Sequence, residues 1–525
     1  MAKEIGIDFG TTNTVVSYVN KKGFLTPMKI DSERVIPSVV FYRSEHEYLI
    51  GRKAEKMLVR FPEACVREFK VHIAEEQKIT VKAENGDEFD VRYKDVAENF
   101  LSRIIDKAQG RINKEFQDSL GNVVITVPAK FDESQKTTIK KSARNAGFEK
   151  VKLAAEPTAA AVCYQMNSGE FGKTILVYDF GGGTFDVSVI RRDGTEEEPV
   201  YKELATDGDK KLGGRDIDDL LVKYFLKLIK DKFDLEMPFD PDEFDEECGI
   251  SQLEYLQNMI AIRQEAIRAK EAMSEEDSFD CEINLFLKTG ENDFWETKLL
   301  KEDFNKLIKP LIDRTIRITG NVLKEANERC GVDHIDEIVL AGGSSKLSLV
   351  AELMRDTFNQ GRVVMADDPE TLISRGAAYL ANTELDRVTE SITNVQYGIA
   401  DSAGVNYMQF KPVIMENEKL PVSGTCYRYL REPGQKRLEV PYCTRDVKNY
   451  PKAMRTDQDG IEVIGSLIIR NLPDNLTIDN VRIAITFTME IDGTLSVSVD
   501  VQDLKGNTIC NDTDVIKKSD SDNLE

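Results

Sequence analysis

Two segments of the chain place Asp-Phe-Gly between apolar runs: IGIDFGTTNTVVSYV near the start and LVYDFGGGTFDVSVI about 170 residues later. Glycine lets the backbone approach a ligand closely, and its free amide can donate to a phosphate oxygen. Gly10, Thr11 and Thr12 in the first segment, and Gly181, Gly182, Gly183 and Thr184 in the second, can each wrap a phosphate chain. Asp8 and Asp179 then stand at the two strand ends, and a pair of carboxylates facing a phosphate suits a hydrated Mg²⁺. Each turn alone is also what a plain hairpin needs; the recurrence with matching flanks separates the two readings. A third glycine pair, Gly342-Gly343 with Ser344, follows the apolar run IDEIVLA, where backbone can pass under an adenosine. Gly213-Gly214 after KKL is a weaker signal of the same kind. No GxxxxGK[ST] loop, no GxGxxG fingerprint and no His-Arg-Asp loop accompanies these turns, which argues against P-loop enzymes, Rossmann dehydrogenases and protein kinases.

The elements that must hold these turns follow from periodicity. Strands are expected at 3–8 and 14–19, and again at 175–178 and 186–190, so one hairpin is duplicated and two related lobes are implied. Apolar residues at helical spacing predict helices over 96–113, 133–146, 156–166, 216–231 and 253–273, with one or two more over 303–330. A strand is expected at 335–341, and 240–247 (DPDEFDEE) reads as an acidic surface loop. Strands alternating with helices to about residue 382 indicate α/β architecture. Beyond residue 395 strands dominate. Val481, Ile483, Ile485, Phe487, Met489 and Ile491 alternate with polar or small residues, Asp492-Gly493 supplies a tight turn, and Leu495, Val497, Val499 and Val501 alternate again.

Bulk properties narrow the class. A chain of 525 residues exceeds one compact core, since domains run to roughly 100–200 residues. The net charge of -23 argues against nucleic acid or an anionic membrane as partner, and obliges a nucleotide site to rely on local amides, a lysine or a metal. The eight cysteines are scattered without a CxxC, and there are three histidines, so a zinc site is not expected and a reducing compartment fits. The N-terminal residues lack a secretory apolar run, and no stretch of about 18 apolar residues occurs. A cytoplasmic location is expected.

Taken in order, DFGTT, ITVPAKFDESQ, AAEPTAAA, YDFGGGTFDVSV, LGGRDID, IVLAGGSSKL and SRGAA resemble the seventy-kilodalton heat-shock (DnaK-type) chaperones, closely over 3–382 and more loosely over 395–510. The resemblance implies an actin-like ATPase domain of two duplicated lobes at 1–382, a linker at 383–394, an all-β sandwich binding peptides at 395–515 and a polar tail at 516–525. It implies that Asp8 and Asp179 hold Mg²⁺ through water, that Lys70 (in REFKVHIA) is the catalytic lysine and that Glu156 orients the attacking water. Thr184 and Asp186 would stand beside the γ-phosphate. The nucleotide would be held by Gly10, Thr11, Thr12, Asn13, Gly181, Gly182, Gly183, Gly213, Gly214, Lys270, Ser274, Gly342, Gly343, Ser344 and Lys346. ATP or ADP with Mg²⁺, and K⁺ as a further candidate, are the implied cofactors. Unfolded or extended polypeptide clients, a J-domain co-chaperone and a nucleotide-exchange factor are the implied partners.

The departures from the family pattern carry their own expectations. In IRAKEAMS, Ile267 and Glu271 stand where the family usually has Glu and Arg, so nucleotide affinity or orientation should differ. Lys130 and Lys136 replace the aromatic and Arg of a segment that relays nucleotide state between domains. The linker NTELDRVTESITN has only Leu385, Val388 and Ile392 as apolar residues, and burying it would desolvate Asp386, Arg387 or Glu390. Weak coupling between the domains is therefore expected. Leu438 and Val440 fall near the family's peptide pocket, although ordinary sandwich core is the better account of them. Ten residues follow Val515, so no helical lid is expected. The rival readings are a sugar or acetate kinase on the same fold, which leaves the C-terminal strands unexplained, and a filament-forming relative or non-cycling adaptor.

Overall fold

In a computed structural model of the chain, the described residues are 3–168, 172–195, 198–245, 248–288, 290–358, 361–383, 389–393, 395–402, 408–430, 434–447, 450–470, 472, 476–477, 479–491, 494–509 and 514–517. The chain divides into two compact units, residues 1–131 with 138–389 and residues 132–137 with 390–525. The architecture is mixed α/β with several sheets.

The first unit repeats one sheet pattern. Strand β1 (Lys3–Phe9) pairs antiparallel with β2 (Asn13–Val19) and parallel with β3 (Leu120–Val127), which pairs parallel with β4 (Val151–Ala155). In the second sheet β5 (Thr174–Phe180) pairs antiparallel with β6 (Phe185–Gly194) and parallel with β8 (Glu337–Ala341), which pairs parallel with Arg362–Met365. Strand β7 (Pro199–Asp209) lies antiparallel on the far side of β6. The duplicated hairpin thus sits at the same place in both sheets. Asp8 is level with Thr126, and Asp179 is level with Ala341 and Asp186.

Helix α1 (Tyr93–Phe116) buries Val96, Ala97, Phe100, Leu101, Ile104, Ala108 and Ile112, an apolar stripe at three- and four-residue spacing. It ends where Gln117 turns left-handed at φ 58. Helix α2 (Glu133–Asn145), α3 (Glu156–Ser168), α4 (Gly214–Phe233) and α5 (Gln252–Ala272) lie within a few residues of the ranges their periodicity predicts. The 303–330 pattern resolves as a single helix, α6 (Lys301–Cys330), which carries Pro310 inside and stops at Gly331 with φ 65. A hairpin of Ser278–Lys288 with Glu291–Leu300, absent from the sequence reading, buries Cys281, Ile283 and Leu285 on one face.

Helix α7 (Leu372–Ala381) packs where the two halves of this unit meet. A Cβ on Gly6 would stand 2.0 Å from the Ala378 nitrogen, and one on Gly376 would stand 1.9 Å from the Ala159 carbonyl oxygen. The glycines of the first strand and of SRGAA therefore let α7 touch β1 and α3 backbone to backbone.

The second unit is β-rich. One sheet runs Met408–Ile414, Gln396–Ser402, Leu438–Arg445, Ile461–Arg470, Asp514–Lys517, and another runs Val422–Arg428, Val481–Met489, Leu495–Asp503, all antiparallel. Val481, Ile483, Ile485, Phe487 and Met489 share one core with Tyr397, Ile399, Val440 and Leu467. The strand Asp514–Lys517 runs past the expected start of a polar tail at 516. Asp492 and Gly493 lie outside the described residues, as do Leu385 and Val388 of the linker. Ile392 forms a bridge with Lys419 inside the second unit, and Lys419 Nζ lies 2.8 Å from Glu390. No helix among the described residues is long and apolar enough to cross a membrane. Cys65, Cys163, Cys248, Cys281, Cys330, Cys426 and Cys443 are free thiols.

Candidate functional site

The two glycine turns face each other in the first unit and do so at very close range. A Cβ on Gly182 would meet Thr12 Oγ1 at 2.2 Å, and one on Gly183 would meet Thr11 Oγ1 at 2.9 Å. The second turn is closed by the Gly181 amide donating to the Thr184 carbonyl at 3.0 Å. Two further glycine segments brace it. The Gly214 amide donates to the Gly181 carbonyl at 2.9 Å, and Ser344 Oγ donates to the same oxygen at 3.0 Å. Gly342, at φ 77, comes so near Asp179 that a Cβ there would stand 2.5 Å from Asp179 Oδ1. Only glycine meets both demands at that position.

A cavity of about 450 Å³ opens between the turns. Of the residues singled out in the sequence, Asp8, Gly10, Thr11, Thr12, Asn13, Lys70, Glu156, Asp179, Gly181, Gly182, Gly183, Thr184, Lys270, Ser274, Gly342, Gly343, Ser344 and Lys346 line it. Gly213 and Gly214 pack behind the second turn instead of on the cavity surface, and Asp186 lies buried beneath it. Ile267 and Glu271, the departures in IRAKEAMS, also line it, with Glu275, Glu370 and Leu347. The lining holds ion pairs: Lys270 Nζ is 2.7 Å from Asp218, and Lys346 Nζ is 2.7 Å from Glu370.

Each charged group has an identifiable support. Lys70 follows the short strand Cys65–Arg67, and between them Glu68 takes a left-handed φ of 58. The Glu68 carboxylate is held by Arg215 Nη1 at 2.9 Å. Glu156 begins α3 directly after β4, with Pro157 in the first turn, where its missing N–H leaves no helical bond unmade. Lys70 Nζ donates to Glu156 Oε1 at 2.7 Å, and the two side chains are 2% and 8% exposed. The ammonium also lies 5.4 Å from the Phe131 ring and 5.9 Å from the Phe9 ring. Thr126 Oγ1 donates to Asp8 Oδ1 at 3.2 Å, and the Ala129 amide donates to Asp186 Oδ1 at 2.7 Å.

Four carboxyls share this small volume, and their protonation reflects it. Burial, reinforced by the charge of Glu156, pushes Asp8 up to about 7. Burial and then Glu156 push Asp186 up to about 8, against the opposing pull of the Ala129 amide and Lys70. Asp179 is held well above the ordinary carboxylate range by burial and by Glu156, Asp186 and Asp8. Asp179 Oδ1 has no hydrogen-bond partner among the described residues. A buried acceptor without a donor among the described residues, set among four crowded carboxyls that the Lys70 ammonium only partly offsets, fits a divalent cation with its waters. Among the described residues no group of three or more His, Cys, Asp and Glu is arranged to ligate a metal directly.

Sequence reasoning did not single out Thr126, Phe131, Arg215 or Asp218. All four fall inside recognised stretches, ITVPAKFDESQ and LGGRDID, so their positions were visible while their partners were not. Leu438 and Val440 belong to the second unit, where both join its core; Val440 is fully buried and Leu438 is 8% exposed.

The Hsp70 protein family matches residues 4–523 of the chain. A chaperone protein HscA homolog of Colwellia psychrerythraea is 30% identical over 517 residues, covering 94% of this chain and 75% of that protein. A chaperone protein DnaK of Buchnera aphidicola is 28% identical over 524 residues, covering 95% and 76%. A DnaK of Mesomycoplasma hyopneumoniae is 29% identical over 511 residues, covering 95% and 76%. A match over nearly the whole length carries both the strand–turn–strand repeat and the β-rich C-terminal unit with it. The chain belongs to the Hsp70 family of ATP-dependent chaperones, ATPases that bind ATP and ADP with Mg²⁺ and act on polypeptide clients together with co-chaperones.

Proposed function

We propose that residues 1–382 form an actin-like two-lobed ATPase domain, 383–394 a linker and 395–515 a β-sandwich that binds extended apolar peptide. The observation that carries the reading is the buried Lys70–Glu156 pair, set in a cavity walled by two facing glycine turns with a carboxylate at the end of each leading strand. Glycine backbone at two facing turns suits a polyphosphate, and a chain of net charge -23 offers it no long-range attraction. Asp8 and Asp179 would hold Mg²⁺ through water; the ion, when bound, neutralises phosphate charge. Glu156 accepts a hydrogen bond from the attacking water and orients it. Lys70 donates to the oxygens on which charge develops, in a site that excludes bulk solvent. Thr184 and Asp186 support the same end of the cavity. Lys270, Ser274, Gly342, Gly343, Ser344 and Lys346 would carry the nucleoside end, with Ile267 and Glu271 altering affinity there.

In the second unit the aligned strands favour pairing with an extended peptide, whose main chain supplies the affinity. Leu438, at the edge of the core, is better placed than Val440 to meet a client side chain. A J-domain co-chaperone, a nucleotide-exchange factor, K⁺ as a further ion and a cytoplasmic location complete the proposal. Calorimetric titration of the full chain with Mg·ATP and Mg·ADP, followed by phosphate release from the ATP complex, tests it. Saturable binding with slow hydrolysis is expected. A chain that binds neither nucleotide contradicts the assignment of the cavity.

A further inference from the structure

Lys130 stands in a turn, residues 128–131, closed by the Phe131 amide donating to the Pro128 carbonyl at 3.1 Å. Its Nζ lies 2.8 Å from Asp207 Oδ1, and each of the two side chains is 10% exposed. Asp207 lies on β7 opposite Val187, next to the Asp186–Gly208 pairing. The strands are so close there that a Cβ on Gly208 would stand 2.5 Å from the Phe185 carbonyl and 3.2 Å from Asp186 Oδ1.

The same turn reaches two of the residues assigned to hydrolysis. The amides of Ala129 and Lys130 donate to the Asp186 carboxylate, the first at 2.7 Å. The ring of Phe131, itself 1% exposed, lies 5.4 Å from Lys70 Nζ. Backbone and ring thus face the reacting end of the cavity, while the Lys130 side chain ties the turn to the neighbouring strand. Stability gives little reason for such a tie, because a well-packed apolar pair commonly holds a fold at least as well as a buried ion pair. An ion pair adds a fixed bearing, since one nitrogen must meet one carboxylate in one register.

We propose that Lys130 is a positioning residue for ATP hydrolysis, its ion pair with Asp207 fixing the turn that sets the Asp186 carboxylate and the Lys70 ammonium. The inference rests on the reading of the cavity as the ATPase site. It concerns the rate of hydrolysis and leaves nucleotide binding to the glycine turns.

The test compares Lys130→Met, the apolar double variant Lys130→Met/Asp207→Leu and Lys130→Arg in the full chain. Single-turnover hydrolysis, Mg·ADP affinity and thermal unfolding are measured on each. Lys130→Met should slow hydrolysis roughly tenfold or more, because small misplacements of catalytic groups are costly in rate. Its Mg·ADP affinity should stay within about twofold, the split that separates positioning from binding. The double variant should regain the melting temperature that the single one loses and remain slow, while Lys130→Arg keeps most of the rate. Where Lys130→Met does not fold, the double variant, which leaves no lone buried charge, carries the same reading. A double variant hydrolysing at the wild-type rate overturns the proposal and leaves the ATPase reading intact; so does a rate that falls only in step with nucleotide affinity. A wild-type chain without turnover removes both.

Discussion

Lys70 and Glu156 are 86 residues apart in sequence and 2.7 Å apart in space, and the contact is closed to solvent. Removing one partner leaves the other charge buried, at a cost of about 3–5 kcal/mol. Lys70→Met is expected to be destabilised on that scale. Lys70→Met/Glu156→Leu should recover most of the loss, since no lone charge remains. Denaturant unfolding of the two singles and the double gives the coupling directly. Additive losses would show that the pair is not what the geometry makes it.

The backbone contacts of α7 set a second expectation. An Ala methyl at Gly6 or Gly376 would collide with backbone atoms at 2.0 and 1.9 Å, and backbone cannot swing aside. Either substitution should cost at least ~2 kcal/mol. Gly110 is the control. It lies inside α1 with open space around it, so Gly110→Ala should stabilise by about 0.5–1 kcal/mol. Melting temperatures of the three variants decide the matter, and a Gly376→Ala chain as stable as wild type would refute the close approach.

Acidity offers a third. Asp8 near 7 and Asp186 near 8 are raised from the ordinary 3.8, so the folded chain holds protons that the unfolded chain has released. Without metal or nucleotide, their contribution to stability is fully present below about pH 4 and is lost as pH rises toward 8. The melting temperature of the ligand-free chain should therefore fall between pH 5.5 and 8.5. Asp8→Asn should flatten that slope and raise stability at pH 8 by on the order of 1 kcal/mol. It should also weaken Mg·ATP binding. A ligand-free melting curve indifferent to pH over this range would contradict the charge crowding.

Coupling between the two activities is a fourth. Ile392 bridges to Lys419, and Glu390 pairs with the same lysine, so the end of the linker is occupied within the second unit. Freeing it for docking costs those contacts, and a ligand can shift that equilibrium only by its differential affinity. ATP should change the affinity for an extended apolar peptide by less than the ~5–150-fold common in allosteric proteins. Fluorescence anisotropy with ATP and with ADP measures it, and a hundredfold shift would mean that the linker docks despite its charges.

Much of this was legible in the sequence, for physical reasons that differ from residue to residue. The duplicated hairpin announced itself because glycine turns and alternating apolar strands are local signals. The helix Lys301–Cys330 and the strand pair Val481–Met489 and Leu495–Asp503 were legible in the same way. Partners were not. Asp207 lies 77 positions from Lys130 in sequence, and no local pattern joins them. Arg215 and Glu68 meet only after the fold is made, and the left-handed turn at Glu68 has no glycine to mark it. The family resemblance placed Leu438 and Val440 near a peptide pocket, but a local sequence match does not say whether a side chain faces pocket or core, and the packing puts both in the core of the second unit. The strand Ser278–Lys288 was legible in the alternation of Cys281, Ile283 and Leu285 with Asp280, Glu282 and Asn284, whereas its partner Glu291–Leu300 buries Trp295 and Leu299 four positions apart and shows no period of two.

The central claim is that the cavity around Lys70 and Glu156 hydrolyses ATP. Single-turnover hydrolysis by wild type, Lys70→Ala and Glu156→Gln, with nucleotide affinity measured in parallel, tests it most directly. Wild type should hydrolyse Mg·ATP slowly, and each substitution should lower that rate about a hundredfold or more, as loss of a group stabilising developing charge does. Affinity should change far less, because the glycine amides hold the phosphates. A Lys70→Ala chain that hydrolyses ATP at the wild-type rate would contradict the account.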